Sequence, residues 1–247
     1  MSVHHTAYAI IRLDLSSIRR DRVALMVVAL SIAGTFVITL LGAVQDRLAG
    51  WTAWFPLIVA ASLVGAPSGF AFLFGMLMVD EGDTGVRHAL SVTPVSPTVF
   101  MLTRTALVTA WMCVWPLASV YVMNTTWRVI DLPLAHGLAV VLPLAPLTAA
   151  LALAIPALAG DKVQALAVLK GASFIMLAPL ALFVVPEHAW YQSLFLAAPT
   201  GWVVRAFRTF VDGNPGYGWA LGGTVYATAL LGVAAHVFRR NVYRSYH

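Results

Sequence analysis

The densest cluster of groups that could do chemistry is a polar stretch at residues 80–97, DEGDTGVRHALSVTPVSP, which lies between two long apolar runs. It holds Asp80, Glu81 and Asp83, followed by Arg87 and His88. These residues do not form a catalytic pattern. There is no Gly-x-x-x-x-Gly-Lys-Ser/Thr loop to cradle phosphates, and the only lysines are Lys162 and Lys170. No His-x-x-Glu-His, Gly-x-Ser-x-Gly or paired-aspartate pattern occurs. The single cysteine, Cys113, sits in an apolar run and excludes a disulfide framework or a multi-cysteine metal site.

What the stretch offers is contact chemistry. It reads as a short helix with defined ends: Asp83 or Thr84 can accept from the unpaired N–H groups of a first turn. Pro94 pushes Thr93 out of the α region and ends it. Ser96 and Pro97 then restart a helix, as N-cap and first helical residue. A two-turn helix buries little of its own surface, so its partner is expected outside this chain.

The elements around it are membrane spans. Of the 247 residues, 60% are hydrophobic and 10% charged, with a mean hydropathy of +0.85. Soluble domains carry about a quarter charged residues, so the chain is expected to be an all-α integral membrane protein. The net charge of +5 is spread over span-flanking positions and calls for no nucleic acid. Residues 1–22 lack a signal-peptide pattern, because Arg19, Arg20 and Arg22 follow the apolar stretch. Tyr8, Ile11, Leu15 and Ile18 recur at helical spacing while Arg12, Asp14 and Arg19 fall elsewhere, which predicts an amphipathic helix in the headgroup plane.

Residues 23–247 then divide into six spans, at about 23–44, 54–79, 103–124, 133–159, 163–186 and 218–238. Gly65-Ala-Pro-Ser-Gly69 puts two glycines around Pro67, a face for close packing within the chain or against a second subunit. Pro133, Pro143, Pro146 and Pro156 make the fourth span a candidate bent element, lining a path or simply packed with a kink. Lys170, about two turns into the fifth span, either snorkels to the interface or faces a wet interior.

Residues 189–204 are uncharged but too short to span, and Pro199-Thr200-Gly201 breaks them, so a re-entrant or interfacial hairpin is expected there. With both termini inside, the inner cations are Arg12, Arg19, Arg20, Arg22, Arg87, Arg104, Lys162, Lys170, Arg239, Arg240 and Arg244. Arg47, Arg128, Arg205 and Arg208 remain outside, the bias that the positive-inside rule requires.

This order of elements resembles the ABC-2 type permeases, the membrane subunits of ATP-binding-cassette exporters. In the 80–97 stretch the likeness rests on Asp80, Glu81 and Asp83, the small pair Thr84-Gly85, Leu90, Thr93-Pro94 and Ser96-Pro97. A weaker likeness lies in Ala198-Pro199-Thr200 and Arg205-Ala-Phe-Arg208. The small size is similar to that of compact drug- and antibiotic-efflux permeases, including those likened to fluoroquinolone exporters.

The resemblance implies that Asp80, Glu81, Asp83, Gly85, Val86, Arg87, Leu90, Thr93 and Pro94 belong to an ATPase-coupling loop, with its short coupling helix around Val86–Leu90. Val86 and Leu90 would be its apolar anchors in a groove of a separate ATPase, with Asp80, Glu81, Asp83 and Arg87 around them. ATP and magnesium would belong to that ATPase, present in two copies, and this chain would bind no cofactor or metal. It further implies a pair of permeases, identical or paralogous, in a bacterial inner membrane, exporting a hydrophobic or amphipathic cargo. Two other classes find less support. An ion-coupled transporter wants mid-span carboxylates or an internal repeat, and a membrane-embedded enzyme wants ionisable groups converging at bilayer depth. His136 and His236 lie near span ends, and no carboxylate falls mid-span.

Overall fold

The computed structural model describes residues 3–20, 22, 25–26, 29, 33, 36–37, 40, 44, 53–83, 97–122, 124, 130, 132–185 and 190–243. Within these, the elements are α1 (Val3–Arg20), α2 (Phe55–Asp83), α3 (Pro97–Val122), α4 (Leu134–Leu158), α5 (Lys162–Leu177), α6 (Gln192–Phe195), α7 (Pro199–Val211) and α8 (Tyr217–Phe238). Five of the helical segments are long and apolar enough to cross a membrane: Phe55–Gly82, Thr98–Val122, Leu134–Leu158, Lys162–Phe183 and Tyr217–Asn241. The expected first span, 23–44, lies for the most part outside the described residues.

The helix ends follow local chemistry. Pro97 opens α3, as the Ser96-Pro97 pair predicts. The Asp161 carboxylate caps α5, accepting from the N–H groups of Val163 and Gln164, both at 2.8 Å. Past Leu177 the α5 segment tightens into a 3₁₀ turn over Ala178–Phe183. One boundary differs from expectation. α2 continues through Asp83, so Asp80, Glu81 and Asp83 belong to its last turn rather than to a loop. α3, opening at Pro97, runs six residues ahead of the span expected from 103, which places Arg104 about two turns inside the helix.

α4 is the centre of the bundle, with 67% of its most apolar window buried, against 17% in Lys162–Phe183 and in Tyr217–Asn241. It is uninterrupted despite Pro143, Pro146 and Pro156. At one end, Val59, Leu63, Val140, Leu144, Val203, Phe207 and Ala220 share a core. At the other, Phe74, Val79, Val108, Ile155 and Ala165 form a second. Gly75 lets α2 meet α4 closely, since a Cβ there would lie 2.9 Å from Ile155. A Cβ at Gly65 would meet nothing within 4 Å, whereas Pro67 two residues on is buried.

Contacts fix the direction of each helix. Lys162, at the start of α5, pairs with Asp80, at the end of α2. Asn241 Nδ2, beyond α8, donates to the Ala157 carbonyl at the end of α4 (3.0 Å). His136, at the start of α4, packs against Tyr217, at the start of α8 (centroids 5.5 Å apart). One end of the molecule therefore holds Asp80, Arg104, Leu158 and Lys162, and the other holds His136, Phe183 and Tyr217.

The segment between α5 and α8 leaves and returns at this second end. It dips into the bundle on the way. The Ala197 carbonyl accepts from the Tyr226 hydroxyl (2.8 Å), nine residues into α8 and so about 13 Å below its start. Thr200 Oγ1 donates to the Met176 carbonyl (2.6 Å). From Pro199, α7 climbs back for 13 residues, about 20 Å and short of a ~30 Å hydrocarbon core. Gly222 and Gly223 admit the Trp202 ring against α8, because a Cβ at Gly223 would stand 2.8 Å from the Trp202 Cβ. The broken hairpin read from Pro199-Thr200-Gly201 is thus a packed, dipping pair of short helices.

Candidate functional site

The most strongly built polar site is where α1, α2 and α3 meet. Arg104 Nε and Nη2 donate to the two Asp14 carboxylate oxygens at 3.0 and 2.6 Å. Its Nη1 donates to Glu81 Oε2 at 2.6 Å, and Nη2 also reaches Glu81 Oε1. The guanidinium lies 4.3 Å over the Phe100 ring, one turn earlier on α3. Arg104 is 3% and Asp14 4% exposed. A planar five-donor fork between two carboxylates is the arrangement that makes a buried cation tolerable. Removing one partner would strand a charge.

The triad changes the reading of α1. The helix exists, but its bundle-facing side is Ile10, Asp14 and Ile18, with Tyr8 and Leu15 exposed. Asp14, expected among the solvent-facing charges, is the residue that turns inward. The cause is Arg104, whose desolvated charge attracts the one carboxylate that α1 can present at this position.

Of the residues singled out in the 80–97 stretch, Asp80 and Glu81 are drawn to partners within the chain. Glu81 meets Arg104, and Asp80 forms a half-exposed pair with Lys162, of the kind that contributes little. Asp83 ends α2. Gly85, Val86, Arg87, Leu90, Thr93 and Pro94 lie outside the described residues. Residues on either side of 84–96 are held together: Glu81, three residues before Thr84, is clamped to Arg104 on the helix that follows.

Pro199, Arg205 and Arg208 all belong to α7. Arg205 and Arg208 come together in the wall of one cavity of about 290 Å³ at the hairpin end, with Leu182, Gln192, Asp212 and Trp219. Arg205 lies 4.6 Å over Trp219 and donates to Gln192 Oε1 at 3.2 Å. Arg208 reaches the Leu182 carbonyl and stands 3.9 Å from the Asp212 carboxylate. Pro199 borders a different space. That is an apolar cleft of about 300 Å³ between α4, α5 and α8, lined by Leu147, Ala154, Ile175, Leu230 and Val233 among others.

Lys170 is exposed on the side of α5 turned away from the bundle, near exposed Phe174. No group of three or more His, Cys, Asp or Glu residues able to hold a metal is found among the described residues.

Sequence reasoning missed the triad. Its signals were an acid on an otherwise basic amphipathic helix and an arginine at the head of a long uncharged run, and neither signal specifies the other as its partner.

A bundle of apolar helices, five of them long enough to cross a membrane, with buried charges at one end and a dipping hairpin at the other, defines a multi-span membrane protein. Residues 14–235 match the family model described as fluoroquinolones export permease protein Rv2686c-like, and the chain belongs to that family. It is 27% identical over 197 residues to two Mycobacterium tuberculosis proteins, from strains CDC 1551 / Oshkosh and ATCC 25618 / H37Rv. They are named fluoroquinolones export permease proteins MT2760 and Rv2686c, and the match covers 75% of this chain and 73% of theirs.

Proposed function

We propose that the chain is the membrane-spanning permease of an ATP-driven exporter, moving amphipathic aromatic drugs of the fluoroquinolone type out of a bacterial cell. The family match over residues 14–235 carries this reading. A separate ATP-binding-cassette ATPase supplies the energy, since the sequence contains no phosphate-binding loop of its own. Its docking point is the coupling helix around Val86–Leu90, with two ATPases beneath two permeases.

The Arg104 triad supports this mechanism. A push on residues 84–96 meets α2 and α3 clamped to each other and to α1, so the three helices move together rather than shearing at the loop. The cargo would travel against apolar surface such as the α4–α5–α8 cleft and that presented by a second permease. Six spans complete the topology. α1 sits with Arg104, Phe55 starts α2 at the opposite end, and residues 23–44 are the uncharged length available between them. The triad end then faces the cytoplasm, and the hairpin end faces outward.

The test is drug accumulation in cells carrying the chain and its cognate ATPase. Lower fluoroquinolone accumulation than in cells lacking the chain, abolished by an ATPase-dead partner, is the expected result. Efflux that persists without ATP and collapses with the proton gradient would place the chain among ion-coupled transporters.

A further inference from the structure

The apolar cleft of about 300 Å³ between α4, α5 and α8 has the chemistry of a hydrocarbon receptor. None of the described residues lining it carries an ionisable or hydrogen-bonding side chain. Leu147, Ala150 and Met176 are buried at its floor, whereas Leu158, Ile175 and Val233 on its rim are 62%, 59% and 61% exposed. The cleft therefore opens sideways, toward the surrounding membrane. Its long axis follows α4, where Leu147 and Leu158 stand three turns apart, about 16 Å. That is one leaflet's share of a ~30 Å hydrocarbon core. Leu158 marks the triad end of the cleft. Pro199, at the inner turn of the dipping hairpin, lines it with Met176, whose carbonyl accepts from Thr200.

A drug carrying carboxylate and amine groups finds no partner for them in such a lining, and burying them unpaired is costly. A saturated acyl chain has no such groups. It gains little by leaving other lipid tails, which are as apolar as the cleft, so what retains a particular lipid must lie at the headgroup. The mouth of the cleft supplies it. Val233, Val237 and Arg240 recur at helical spacing on the cleft side of α8, so the apolar stripe ends on a cation. Arg239 and Arg240 are both exposed. Asn241 Nδ2, bonded to the Ala157 carbonyl at 3.0 Å, fastens this end of α8 beside Leu158. The Asp161 carboxylate, three residues past Leu158, is turned to the Val163 and Gln164 N–H groups that it caps.

We propose that the cleft seats one acyl chain of an anionic phospholipid, whose phosphate is held at the mouth by Arg240 and Arg239. The site goes beyond the export reading and stands without it. Cargo moving along this face would meet a lipid chain in the cleft rather than bare side chains.

The purified full chain is placed in phosphatidylcholine nanodiscs holding a trace of phosphatidylglycerol with a diazirine at mid-chain. After irradiation, the labelled residues are mapped by mass spectrometry, with a phosphatidylcholine probe of the same chain as control. Phosphatidylglycerol is expected to label Leu151 and Ala154 in the cleft at least about fivefold more than the control, the contribution of one cation near the surface. Arg239→Gln/Arg240→Gln should erase that difference. Ala172→Trp, which fills the cleft from α5, should abolish cleft labelling while exposed Phe174 and Val225 are still labelled, showing that the variant is folded in the bilayer. Equal labelling of the cleft by the two probes, or a preference that survives Arg239→Gln/Arg240→Gln, would overturn the proposal. So would cleft labelling that Ala172→Trp leaves unchanged, or that a fluoroquinolone displaces, since displacement identifies the drug as the occupant. Because the readout needs neither ATPase nor transport, a chain that prefers the anionic lipid but exports nothing would refute the export reading alone. One that exports but shows no lipid preference would refute this site alone.

Discussion

Replacing Arg104 by methionine removes the cation from between two carboxylates, of which Asp14 is 4% exposed. Methionine fills a similar volume, so the loss is mainly electrostatic. Breaking a buried ion pair by deleting one partner destabilises by ~3–5 kcal/mol, because the remaining charge is left without compensation. For a chain of this size each kcal/mol lowers the thermal midpoint by roughly 2–4 °C, which gives a fall of about 6–20 °C. Asp14→Asn should cost less, because Arg104 keeps its bonds to Glu81. The triple variant Asp14→Leu/Glu81→Met/Arg104→Met removes every charge at once and should recover most of the lost stability. The assay is thermal unfolding of the purified chain in one detergent, read by tryptophan fluorescence and by the fraction remaining monodisperse. A single Arg104→Met variant that melts within about 1 °C of the native chain would show that the triad holds nothing together.

Other substitutions probe the rest of the molecule. Gly223→Val should push Trp202 off α8 and cost about 1–3 kcal/mol by overpacking, with a red shift in tryptophan emission; an unshifted spectrum at native stability would contradict the packing. Asp161→Ala removes the α5 cap and should cost ~0.5–2 kcal/mol, read as a lowered thermal midpoint, whereas Asp161→Asn should retain most of it. Lys170→Met should leave stability and drug export near native, given its exposed position; loss of export in a normally assembled protein would place Lys170 on the cargo path. In intact cells, an outside-only thiol reagent should label Asp212→Cys and spare Ser245→Cys; the reverse pattern would overturn the orientation.

Much of the helical order was legible because apolar length and breaker residues are local signals. Pro97 and the Pro199-Thr200-Gly201 break act through their own backbone, and each marks an element end in the structure. The boundary at residue 79 was misplaced because charge was taken as the edge of the helix. The α2 backbone continues because Glu81 and Asp80 find partners on α3 and α5, which no property of the 80–83 segment announces. The same holds for Asp14, whose inward turn depends on Arg104, ninety residues away. Arg205 and Arg208 could be named from sequence as parts of the hairpin, but not as walls of one cavity. Their convergence depends on Gln192 and Trp219 being folded against α7.

The coupling of this chain to an ATPase is tested most directly by co-purification. The tagged native chain and a Val86→Asp/Leu90→Asp variant are each expressed with an ATP-binding-cassette ATPase from the same source, then isolated in mild detergent. Retained ATPase and its ATP turnover are measured in both. The account predicts capture by the native chain and loss by the variant, with both chains monodisperse and equally heat-stable. ATPase held equally by both would move the docking point away from residues 86–90, and no ATPase held by a well-folded native chain would contradict the ATP-driven reading itself.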